Sequence, residues 1–217
     1  MKPTKRGPGG RPTKEQSANI DKAILDSARS FFSTSGIAHA TIDAIAGKIG
    51  VSKHTIYRRY KNKMALLDAV VDRDVVYFRD ELREAGSGAS DAVESLKNIA
   101  FRYVEIGRSR DYATFYHSIF AEAARSSLMR KKLSGWSVAA LVPIRERIDE
   151  GQSQGLIAKS NPDEVYAVFV DLFEGVNNLL RIGDDDFVST IDWKIIALKR
   201  WELFERLVVI ADSNRST

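Results

Sequence analysis

The segment from Thr41 to Lys63, TIDAIAGKIGVSKHTIYRRYKNK, leaves few folds open to this chain. Ile42, Ile45 and Ile49 recur at helical spacing, and Gly50-Val51-Ser52 breaks the pattern after eight residues. Thr41 and Ser52 each stand where a side-chain oxygen can accept from an otherwise unpaired backbone N–H and so start a helix. Two short helices around a tight turn make a helix-turn-helix, whose second helix enters the major groove of DNA. That second helix is expected to run from Ser52 to about Tyr60. Ile42, Ala46, Ile49, Val51 and Ile56 supply the apolar contacts that would fix the angle between the two.

Charge supports the same reading. Through Lys63 the chain carries 13 lysines and arginines against 4 carboxylates, while the remainder carries 20 against 25. A basic head on an acidic body assigns a polyanion partner to the head alone. In a major groove only residues near the start of the second helix reach base edges. Here these are Ser52, Lys53, His54 and Thr55, with Tyr57 two residues on. Lysine can donate to guanine O6 and N7, threonine offers a methyl and a hydroxyl, and histidine can donate, accept or pack on a thymine methyl. Arg58, Arg59, Lys61 and Lys63 surround the helix end, where phosphates pass, and Thr41 with the amides behind it offers a further phosphate contact.

The other helical signals make the chain all-α. Residues 1–13, rich in Pro, Gly, Lys and Arg, form a basic arm without apolar periodicity, expected to be disordered by itself. Thr13 and Gln16 fit a capping box, Ile20, Ile24, Ala28, Phe31 and Phe32 mark one helical face, and Gly36 can stop that helix. Asn62 can cap a long helix over 63–85. Beyond the break at 86–90, helical patterns recur over 91–108, 111–125, 127–154, 162–182 and 189–212, and Pro143 must kink or split the third of these. The expected organisation is the arm, an N-terminal three-helix DNA-binding domain over 14–62 and a C-terminal helical domain over 63–217.

At this point the residues resemble a known family. IDAIAGKIGVSKHTIYRRYKNKMALLDAVV is closely similar to the DNA-binding domain of the TetR family of bacterial transcriptional regulators. The similarity rests on Ile45-Ala46, Gly50-Val51-Ser52, Thr55-Ile56-Tyr57, Lys63 and Leu66-Leu67. ILDSARSFFSTSG, residues 24–36, resembles that family's first helix, so the likeness covers about 18–72. It implies a homodimer of nine or so helices per subunit, with three DNA-binding helices and a variable body that binds a small effector and dimerises through its last two long helices. By position, Lys53, His54, Thr55 and Tyr57 match the family's base contacts, and Thr41 and Lys63 its phosphate clamps. His54, often a small residue in relatives, departs from the common pattern, as does Tyr60, often phenylalanine. Arg6 and Arg11 resemble the basic extensions that some members place in the minor groove.

For the body, the resemblance implies an effector pocket, and the aromatic-rich interior suits a small hydrophobic or aromatic molecule. Phe101, Tyr112, Phe115, Tyr116, Phe120, Trp136, Phe169, Phe173 and Asn177 are the candidate lining residues, although core packing explains any one of them equally well. The final two helices are apolar around most of their circumference and so need cover on several sides. A second copy supplies it most simply, through Val168, Leu172, Ile195, Trp201, Phe204, Leu207 and Val208.

Other chemistry finds no support in the sequence. The chain has no cysteine, which excludes disulfides and thiolate metal sites and suits a reducing cytoplasm. No apolar run approaches a membrane span, the basic N-terminus lacks the apolar core of a secretory signal, and the three histidines are not spaced as metal ligands. No glycine-rich phosphate loop, nucleophile elbow or catalytic carboxylate pair stands out, so neither enzyme nor cofactor is expected. The expected function is a ligand-responsive regulator, a repressor that binds a palindromic operator as a dimer and is released by an effector. The alternative is a DNA-binding architectural or cell-cycle protein whose body binds another protein.

Overall fold

The computed structural model describes residues 13–210, which contain eleven α-helices and one isolated antiparallel bridge, Ile157 with Val209. The chain divides into two compact units at Val70–Val71, inside the fourth helix and later than the boundary at 62 expected from the sequence.

The first unit holds α1 (Lys14–His39), α2 (Ile42–Ile49), α3 (Lys53–Tyr57) and the start of α4 (Lys63–Gly86). Local chemistry sets each boundary. Thr13 and Gln16 cap one another's backbone at the start of α1, the capping box read from the sequence. Gly36, at φ 78°, interrupts α1 three residues before its end, a conformation that only glycine adopts cheaply. The core of this unit gathers Ile24, Ala28, Phe32, Ile45, Ile56, Leu66, Leu67 and Val70, all fully or almost fully buried.

The second unit holds the rest of α4 with α5 (Ala92–Gly107), α6 (Arg110–Arg125), α7 (Ser127–Ala140), α8 (Val142–Ser153), α9 (Pro162–Ile182), α10 (Asp185–Thr190) and α11 (Trp193–Val208). The helix read over 127–154 splits at Leu141, because Pro143 takes a first-turn position of α8, where its missing N–H costs nothing. α5 packs on α8, α9 and α11, and α6 packs on α7. Phe169 and Phe173 on α9 meet Trp201 and Phe204 on α11 at the centre, with Phe169 edge-on to Phe204 at 5.4 Å. Trp201, Phe204 and Val208, expected at a subunit interface, therefore belong to the chain's own core. Their helix is apolar on two sides, and the sequence alone does not say which side faces inward. The other side leaves Ile195, Leu198 and Leu207 exposed, with Ile182 beyond them on α9.

Candidate nucleic-acid interface and body cavity

The turn between α2 and α3 is built by three caps. Thr41 Oγ accepts from Ala44 N at 3.2 Å and starts α2. Gly50, at φ 69° and ψ 26°, closes it in the left-handed conformation and passes the chain to Val51, whose N–H donates to Ala46 O at 3.1 Å. Ser52 Oγ accepts from Thr55 N at 3.1 Å and lies 3.0 Å from Thr55 Oγ, so these two hydroxyls serve the helix start as well as any base contact. Ile56 turns fully inward, and Lys53, His54, Tyr57 and Arg58 are left exposed. Lys53 Nζ lies 3.4 Å from Asp43 in the first turn of α2, an ion pair open to solvent.

Two cations from the expected phosphate set have internal partners. The Arg59 side chain is only 15% exposed; its Nε lies 3.2 Å from Asp21 Oδ1 on α1 and it donates to Ser17 Oγ at 3.1 Å. With Tyr60, whose hydroxyl donates to the same Asp21 carboxylate at 3.0 Å, Arg59 ties the end of α3 to α1. Lys63 Nζ donates to Ala38 O at 2.8 Å and Ala40 O at 3.1 Å, closing the carbonyl end of α1. An ammonium has three donors, so Lys63 keeps one for another partner. Arg58 is exposed at the helix end. Arg6 and Arg11 lie outside the described residues.

The second unit contains a half-open cavity of about 80 Å3 between α4, α6 and α7. Of the candidate residues Tyr112, Phe115, Tyr116 and Trp136 line it, and Val71, Asp74, Val75 and Phe78 on α4 form the facing wall. The other candidates lie elsewhere. Phe169 and Phe173 are fully buried core, Phe101 packs near Trp193, Phe120 is half-exposed on α6, and Asn177 is buried beside Gly107. Composition could not separate wall from core, since both are aromatic. Asp74 was missed, although its place among Val71, Val75 and Phe78 on one helical face was a legible signal.

Behind the cavity's rings runs a buried polar chain. Arg181, on α9, has a side chain only 1% exposed and pairs with Glu174 at 2.5 Å. Glu174 also accepts from the Tyr103 hydroxyl at 2.5 Å. The Arg181 guanidinium lies 4.4 Å from the centre of the Tyr116 ring and 5.6 Å from that of Tyr112. Burial opposes the Arg181 charge, but the Glu174 carboxylate overrides that cost and raises its pKa. Burial pushes the Tyr112 phenol up to about 12, against the lowering influence of Arg181.

Comparison with known proteins agrees with this architecture. Residues 24–70 match the sequence model of the tetR family of bacterial regulatory proteins. The HTH-type transcriptional regulator YhgD of Bacillus subtilis (strain 168) is 25% identical over 154 residues, covering 70% of this chain and 79% of that one. A Mesorhizobium loti MAFF303099 protein assigned to the TetR family shares the fold at a TM-score of 0.75. It is 20% identical, covering 92% of this chain and all of that one. SmeT, solved in complex with triclosan, shares it at 0.72, with 16% identity over 89% of this chain and 93% of that one. Residues 24–70 thus carry the sequence pattern of the tetR-family DNA-binding region, and the chain as a whole shares its fold with regulators of that kind.

Proposed function

We propose that the protein is a ligand-responsive repressor that binds a palindromic operator as a homodimer and leaves it when a small effector fills the body cavity. The observation that carries this reading is one helix with two duties: α4 adds Leu66, Leu67 and Val70 to the head's buried residues and Val71, Asp74, Val75 and Phe78 to the cavity wall. An effector with different affinities for two positions of α4 shifts the population between DNA-competent and incompetent forms. Ser52, Lys53, His54, Thr55 and Tyr57 are assigned to bases, and Arg58, Thr41 and the remaining donor of Lys63 to phosphates. The dimer is assigned to the outward side of α9 and α11, through the half-buried Val168 and Leu172 and the exposed Ile195 and Leu207. SmeT, of the same fold, holds triclosan, in keeping with a small-molecule site in such a body. No helix among the described residues is long and apolar enough to cross a membrane.

Footprinting of genomic fragments with the purified protein tests the DNA half. The expected result is protection of a short inverted repeat whose half-sites are about 34–36 Å apart or slightly more. Titration of the bound complex with metabolite extract tests the other half, with release expected. If the operator is bound but no extract fraction changes its affinity, the body binds a protein instead.

A further inference from the structure

The cavity's chemistry discriminates among effectors, an inference that rests on the effector reading above. Phe78, Tyr112 and Tyr116 form consecutive near-parallel ring pairs, with centroids 5.8 Å and 6.0 Å apart, and Trp136 adds an indole from α7. Among the lining residues Asp74 supplies the one carboxylate, and no lysine, arginine or histidine is present. Arg181, the cation behind the tyrosines, is already matched by Glu174.

We propose that the cavity takes an organic cation with an apolar body, such as a tertiary or quaternary ammonium bearing an aromatic group, with Asp74 as its counter-charge and the Tyr112, Tyr116 and Trp136 rings as its wall. Ring faces carry negative potential and attract cations, most strongly where water is displaced. The apolar body gains from leaving water, and the carboxylate keeps the buried charge compensated. A carboxylate or sulfonate effector meets the reverse situation, with repulsion from Asp74 and no lining cation to offset its desolvation. Asp74 already lies 3.4 Å from Arg73, a partly exposed neighbour on the same helix. A bound cation would share the carboxylate, whose two oxygens offer about four acceptor positions, rather than displace that arginine.

Three probes of nearly equal shape test the assignment on the full chain: benzyltrimethylammonium, neutral neopentylbenzene and benzylsulfonate. Binding is read from tryptophan fluorescence, and DNA release from the anisotropy of a labelled duplex. The cation is expected to bind at least about tenfold more tightly than the neutral isostere, with the anion weakest of the three. Asp74→Asn should sharply reduce that preference, leaving only the share due to the rings, without weakening the neutral probe, and Asp74→Glu should retain it, which separates lost charge from lost folding. A neutral probe that binds as tightly as the cation, or cation binding indifferent to Asp74→Asn, overturns the assignment and leaves a ligand-responsive regulator standing. Failure of all three probes, with DNA affinity also unmoved by metabolite extract, overturns both readings.

Discussion

Arg58 and Arg59 adjoin in sequence but have different surroundings, and two alanine variants separate their roles. Arg58 is exposed at the end of α3, free of the Asp21–Ser17 tie that holds its neighbour. If it meets a phosphate in each head, Arg58→Ala removes two counterion-releasing contacts per dimer. The slope of log K against log salt then becomes shallower by about 1.8, at roughly 0.9 per phosphate. Relative to a 1 M reference, that is about 30-fold in affinity, or ~2 kcal/mol, at 0.15 M salt. Arg59→Ala instead removes the 3.2 Å pair with Asp21 and the 3.1 Å bond to Ser17. Because Asp21 is 45% exposed, solvent screens the pair, and the loss is about 1–2 kcal/mol of head stability. Its salt slope should match wild type under conditions where the head remains folded. Fluorescence anisotropy with a labelled duplex between 0.05 and 0.3 M KCl, a range set by ordinary phosphate-contact slopes of roughly this size, measures both variants. A shallower slope for Arg59→Ala, or an unchanged one for Arg58→Ala, refutes the division of roles.

The body gives three further tests. Leu207→Glu, on the exposed side of α11, should yield folded monomers by sedimentation, whereas Phe204→Glu should fail to fold because its ring is fully buried; a folded dimer of Leu207→Glu would move the interface elsewhere. Arg181→Met should destabilise the body by about 2–4 kcal/mol in urea unfolding, since it strands a carboxylate that is only partly exposed, and adding Glu174→Gln should recover most of that loss. If the double variant is no more stable than the single, Glu174 is not the partner that matters. Tyr112 is raised to about 12 against an unfolded value near 10, so its neutral form favours the fold below pH 10 and that contribution is lost as pH rises toward 12. Unfolding free energy should fall over that window, by less in Tyr112→Phe, and an equal fall in the variant would remove Tyr112 as a cause.

How much the sequence discloses depends on how local the physics is. Thr13 with Gln16, Thr41, Ser52 and Asn62 all cap the helices they were read to cap, because a cap needs only a side chain and amides two or three residues away. α3 stops at Tyr57 rather than Tyr60, where Arg59 and Tyr60 turn to Asp21, a partner 38 and 39 residues earlier that no local pattern announces. The last helix begins at Trp193, because Asp192 caps it and α10 occupies 185–190, a short element in an aspartate-rich stretch without helical apolar periodicity.

The sequence by itself determined the head: a helix-turn-helix with Ile56 inward, Lys53 and His54 outward, and a basic surplus confined to that end. Periodicity, caps and charge act over a few residues, and a chain of letters shows them directly. Tertiary structure alone decided which aromatics are wall and which are core, which side of α11 faces inward, and which cations are committed to internal carboxylates. Those outcomes depend on pairings between distant helices. Phe169 and Tyr116 read alike in sequence; one fills the centre of the body and the other borders a cavity opposite Asp74.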